Sequence, residues 1–166
     1  MYVNNTYRQQ EVYLSMANRV TVLPFWDINL SVDYQWNKLN ANLTDFPYPR
    51  RNTTLVAAAT SLHFDRFKFQ ASVLGTFVHE NVASDTTSAG NKMEFTPTAI
   101  ASYKPFKNID FNLRAFYKRI FRMPTLNDLY YTFIGNIKLK PEYTNQYNIG
   151  SVSYTHLRAH ETLANL

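Results

Sequence analysis

A chain of 166 residues with no cysteine, and with 17 Lys and Arg against 12 Asp and Glu for a net charge of +5, is one domain or a piece of one; it has no disulfide framework and no cysteine-based zinc or redox site. An apolar fraction of 45% with only 4 Gly and 7 Pro excludes collagen-like, low-complexity and disordered chains. The 12 Tyr, 12 Phe and 2 Trp coexist with a mean hydropathy of −0.34, so the chain is aromatic-rich and polar at once.

The first twenty residues lack a basic stretch leading into an unbroken apolar run, so no signal peptide is read there. Nor does any stretch reach the 18 or so apolar residues of a transmembrane helix, whereas a membrane β-barrel, whose strands alternate, stays open. The period along the chain is two. It predicts strands over 11–22 (Val12, Leu14, Met16, Val20 and Val22 on one face) and 27–37 (Ile28, Leu30, Val32, Tyr34 and Trp36). A weaker strand follows over 53–64, with Val56, Ala58, Leu62 and Phe64 on one face. Further strands are predicted over 67–80 (Phe67, Phe69, Ala71, Val73, Phe77), 93–104 (Met93, Phe95, Ala99, Ala101, Tyr103) and 109–118 (Phe111, Leu113, Ala115, Tyr117).

Within these segments Glu11, Arg19, Asp27, Asp33, Lys68, Glu80, Glu94, Lys104, Asp110, Arg114 and Lys118 all fall on the polar parity. The connections alternate between short (23–26, 65–66, 105–108) and long (38–52, 81–92, 119–142), which describes an up-and-down meander with its long loops at one end. Aromatic residues gather at both strand ends. Phe25, Trp26, Phe64, Phe67, Tyr103, Phe106 and Phe111 lie by the short turns; Tyr34, Trp36, Phe77, Phe95, Tyr117 and Phe121 lie toward the long loops. Two girdles flanking an apolar band, on strands longer than the usual five or six residues, fit an antiparallel transmembrane β-barrel. The alternatives are a soluble β-sandwich binding module, with one face in its core, and a small eight-stranded outer-membrane barrel.

The longest loop reads Phe121-Arg122-Met123-Pro124-Thr125-Leu126-Asn127-Asp128-Leu129-Tyr130, then Gly135-Asn136-Ile137-Lys138-Leu139-Lys140-Pro141-Glu142, and leads into Gln146-Tyr147-Asn148-Ile149-Gly150. This resembles the signature of TonB-dependent outer-membrane receptors, FR-x-P-T-x-x-E-L-Y followed by N-x-x-L-K-P-E and a strand reading Y-E-L-G, with Asp128, Ile137 and Asn148 as departures. The resemblance implies a barrel of about 22 strands around an N-terminal plug, in the outer membrane of a Gram-negative bacterium, importing siderophore-iron, haem, cobalamin or glycans with energy relayed by TonB. It implies no catalytic residue, cofactor or nucleic-acid partner. Residues 1–151 then read as about six or seven strands from the later part of such a barrel, without plug, TonB box or aromatic C-terminal strand.

Read from the residues alone, Pro124 suits a first helical turn, and Leu126, Leu129 and Tyr130 at i, i+3 and i+4 suit a short helix packed on the rim. Anchoring of the loop is the first reading of these residues and direct ligand contact the second. From about Val152 the sequence VSYTHLRAHETLANL abandons the strand parity and resembles a translated sequencing-adapter read-through, so 152–166 is set apart as a non-native tail. That removes His156, His160 and Glu161 as zinc ligands. His63 and the His79-Glu80 pair read as ordinary lumen or rim residues. No nucleophile elbow, phosphate-binding glycine loop or metal-spaced carboxylate set is present. Arg50, Arg51, Lys118, Arg119, Arg122, Lys138 and Lys140 map to the long-loop side, as a solvated lipopolysaccharide-facing rim or an attractor for an anionic ferric chelate. Asp33, Gln35, Lys68, Gln70, Glu94 and Arg114 are expected to line the lumen and to pair with one another and with the plug.

Overall fold

The structure, a computed structural model, describes residues 5–83, 88–132 and 134–153; His156, His160, Glu161 and the rest of 154–166 lie outside the described residues. Strands β1 (Tyr7–Leu23), β2 (Trp26–Ala41), β3 (Arg50–His63), β4 (Phe67–Asn81), β5 (Lys92–Tyr103), β6 (Phe111–Arg122) and β7 (Glu142–Ser153) form one antiparallel sheet in sequence order. A single-turn helix, α1 (Leu126–Tyr130), interrupts the last connection. Among the described residues β1 and β7 remain the two edges, so the sheet is an open, up-and-down piece of barrel wall. The strands run 12 to 17 residues, and β1, β2 and β3 outlast the segments visible in the alternation, because largely polar residues continue the ladders after the apolar stripe stops, whereas β5 keeps the expected length. The connection read as 119–142 shrinks accordingly. Phe121 and Arg122 end β6, Glu142 opens β7, and their registers join Phe121 to Tyr143 and Arg122 to Glu142. The ladder also includes Val152 and Ser153, opposite Asn112 and Phe111.

The two faces of the sheet are sorted in the sense opposite to a soluble protein. Leu30, Val32, Val56, Val73 and Phe95, all on the apolar parity, are 52%, 50%, 42%, 46% and 49% exposed. Asp27, Asn37, Arg51, Thr76, Glu80 and Thr96, all on the other parity, are buried on the concave side. A soluble sandwich would bury the first set and wet the second. Here the apolar face is the outer one, as lipid around a barrel wall requires.

One seam is incomplete. β5 pairs with β4 along its whole length, yet its ladder with β6 covers only Thr98–Tyr103 opposite Leu113–Lys118. The break falls at Pro97, which has no N–H to give a ladder. Beyond it the Tyr143 hydroxyl donates to Glu94 Oε1 at 2.6 Å, and the Arg119 guanidinium lies 5.4 Å from the centre of the Tyr143 ring.

Outward-facing Val56 sits midway along β3, and its neighbour Ala57 faces inward. Val56→Lys should cost about 2–4 kcal/mol in lipid, and Ala57→Lys well under half as much. Urea titrations of protein refolded into lipid vesicles check the difference.

Candidate functional site

The long-loop end carries the one buried apolar cluster identified among the described residues, and it gathers chain from distant places. α1 begins with a reciprocal cap: the Thr125 hydroxyl accepts from Asp128 N at 3.2 Å, and Asp128 Oδ2 accepts from Thr125 N at 2.9 Å. These bonds from Thr125 hold the exposed Asp128 carboxyl below the ordinary carboxylate range. The capped turn directs Leu126, Leu129 and Tyr130 to one side, where they are buried against Leu39 of β2 and Phe46 of the β2–β3 loop.

Polar groups fasten the same turn to the wall. Arg51 and Glu80 are register partners on the concave faces of β3 and β4, with their side chains 8% and 0% exposed. Arg51 donates through Nε and Nη2 to Glu80 Oε2 at 2.9 and 2.7 Å, and through Nη1 to the Pro124 carbonyl at 2.6 Å. The other carboxylate oxygen, Oε1, accepts from the Tyr130 hydroxyl, whose oxygen accepts from Ala89 N at 3.2 Å. Burial, reinforced by the bond to Glu80, pushes the Tyr130 phenol up to about 12.

The loop then folds back on itself. Gly135 N donates to the Tyr131 carbonyl at 2.6 Å and Asn136 N to the Asp128 carbonyl at 2.9 Å. A Cβ at Gly135 would stand 2.6 Å from Tyr131 backbone atoms, so only glycine fits that approach. Tyr131 stacks on Tyr7 of β1 with ring centres 4.1 Å apart, and the Tyr7 hydroxyl accepts from Thr132 N at 3.2 Å. The β6–β7 connection thus spans the concave side from one end of the sheet to the other.

A model of the family described as TonB dependent receptor-like, beta-barrel, matches residues 2–164. The chain belongs to that family. No curated protein matches it. The TonB-dependent receptors are a family of outer-membrane transporters and receptors rather than enzymes. No helix among the described residues is long and apolar enough to cross a membrane, which says nothing of strands.

Within this receptor wall the signature residues divide into three groups. Pro124, Thr125, Leu126, Leu129 and Tyr130 meet in the clasp just described. Leu139 and Lys140 instead line a cleft of about 570 Å³ with Arg122, Asp128, Tyr131 and Glu142, next to Pro141. Phe121 packs against Tyr143 at 5.5 Å and lines an inner cleft with Arg51, Thr125 and Leu126, Tyr147 faces outward against Tyr117 at 4.9 Å, and Gly150 lies opposite Arg114. Arg51 departs from the solvated rim assigned to it, because its register places it on the concave face beside Glu80. Of the lumen set, Asp33 accepts from Ser15, Gln35 donates to Glu11, and Glu94 accepts from Tyr143, so their partners are neighbours outside the set. Lys68, Gln70 and Arg114 line a cleft of about 980 Å³ toward the short turns. At its edge His63 Nε2 lies 3.0 Å from Asp27, which also accepts from Arg19 and Thr21 at 2.7 and 2.6 Å. His79 lies on the outward parity of β4. Among the described residues no three His, Asp or Glu side chains gather as metal ligands do.

Arg51→Ala, which strands the Glu80 carboxylate, should cost about 3–5 kcal/mol, while Arg51→Met with Glu80→Leu should restore most of it; denaturant midpoints in neutral detergent report both. Docking of α1 should also depend on pH at both extremes. Stability from Asp128 is present above the ordinary carboxylate range and lost as pH falls through its lowered value. Stability from the neutral Tyr130 phenol is complete below about 10 and lost as pH rises through its raised value. Phenolate absorbance should contain a late-titrating component from Tyr130, which Glu80→Gln should bring earlier.

Proposed function

We propose that the chain is part of the wall of an outer-membrane receptor that takes up a scarce nutrient, in the class of siderophore-iron, haem, cobalamin or a glycan. The reading is supported above all by the inverted sorting of the faces: long strands put Leu30, Val32, Val56 and Ile149 outside, and charged and amide groups inside. A lining of that kind gives polar cargo a wetted path while the outer face contacts lipid. In this reading TonB acts through a plug supplied by the parent receptor, and cargo, membrane lipid and TonB are the partners.

The signature residues act as an anchor. Leu126, Leu129 and Tyr130 hold the long loop against the mouth of the wall, and Arg51 and Glu80 lock that position. Direct contact with cargo is the second reading, favoured by the cleft beside Arg122, Tyr131 and Lys140, which mixes charge with an aromatic face.

Disruption of the encoding locus should abolish growth when one of these four nutrients is supplied as the only source, and complementation should restore it. Unchanged growth on all four would overturn the uptake reading. Lys140→Ala should leave uptake unchanged if the segment only anchors, and should raise the half-saturating nutrient concentration if it touches cargo.

A further inference from the structure

Followed to their long-loop ends, β1, β2 and β3 bring three cations to the outer face. Lys38 and Arg50 are register partners, and Arg8, opposite Asn40, is the diagonal neighbour of Lys38. All three share the parity of outward-facing Leu30, Val32 and Tyr34, whereas Asn37, Leu39 and Arg51 are buried on the concave side. Like charges directly opposite on paired strands repel. Nearby acids do not relieve this, because Glu11, Asp33 and Glu80 project to the other face. Among the described residues none of the three cations has a carboxylate within ion-pair distance. Their other outward register neighbours, Gln10 and Asn81, are uncharged.

Position identifies the missing counter-charge. Trp36 lies one outward position nearer the middle of β2, and Tyr34, bonded to Asn52 at 2.8 Å, lies one further in. Lys38 and Arg50 therefore stand about 7 Å of strand, and Arg8 about 14 Å, beyond the aromatic ring that marks the edge of the apolar band, on the side where lipid phosphates lie. Exposed Leu14, Val32 and Val56 continue the same surface inward as a wall for acyl chains.

We propose that Arg8, Lys38 and Arg50 form a binding site for the phosphate headgroup of a membrane lipid. The assignment rests on the membrane reading above, which flotation of the full chain with phosphatidylcholine vesicles tests by itself. The site is tested by native mass spectrometry of the full chain in neutral detergent, with dioleoyl phosphatidic acid against dioleoyl phosphatidylcholine. The wild type should favour phosphatidic acid, and K38Q/R50Q should lose about 30-fold of that preference while keeping its β-sheet circular dichroism. R8Q, on the edge strand, supplies the same readout if the double variant fails to fold. Equal preference in variant and wild type, or none in the wild type, overturns the site. Displacement of the lipid by equimolar inorganic phosphate would make it a soluble-anion site and overturn the lipid assignment. Failure to float overturns both readings, whereas flotation without preference overturns only this one.

Discussion

Lipid offers nothing to a backbone N–H or C=O, so a chain that crosses it as strands must pair those groups with neighbouring strands. The sheet meets this requirement with antiparallel ladders between consecutive strands, and the consequences reach the side chains. Once every strand is extended, alternate residues must face opposite ways. A single choice of phase then sets which residues meet lipid and which meet water. In β2 that choice sends Leu30 and Val32 outward and Asp27, Asp33 and Asn37 inward, and each register repeats it in the next strand. The wall needs little apolar core of its own, because its apolar face is completed by the membrane.

The exception is the long-loop rim, where the receptor builds a small interior of conventional kind. Leu39 stands on the concave parity, where its neighbours are polar, and with Phe46, Leu126, Leu129 and Tyr130 it forms the apolar centre. The Arg51–Glu80 pair beneath is buried, but each of its charged groups has several partners. Such a pair contributes orientation more dependably than net stability, since two charges must first be desolvated. Its carbonyl partner, Pro124, lies just before α1 and its phenol partner, Tyr130, ends the helix, so the pair fixes where the helix sits and which way it faces.

Much of this was legible in the sequence. Period two located six strands, the empty apolar parity of Leu30, Val32, Val73 and Phe95 gave the outer face, and the loop signature gave the family. Strand ends were harder to read, because beyond Asn37, and again from Arg119 to Arg122, the ladder continues through residues with no apolar rhythm. The clasp was half visible: Leu126, Leu129 and Tyr130 share a helical face, whereas Arg51, Glu80, Leu39 and Tyr7 join them only through strand register. An apolar Leu39 on the polar parity is a local signal, though Leu55, Leu74 and Val78 share that parity without joining the clasp. Pro97 was another overlooked signal, since a proline inside a strand weakens one of its two edges and β6 pairs with β5 only up to that point.

The hydrogen bond from Thr132 to Tyr7 closes a loop of 125 residues, and that span has a bearing on the order in which the structure is made. Each hairpin joins neighbours and can zip from its turn. The clasp needs β1, β2, β3 and β4 already side by side, because its partners Tyr7, Leu39, Arg51 and Glu80 come from all four. Closure over so long a stretch is entropically late. The rim is therefore the last part to set, and the curvature of the wall becomes final only when the β6–β7 connection reaches back to the first strand.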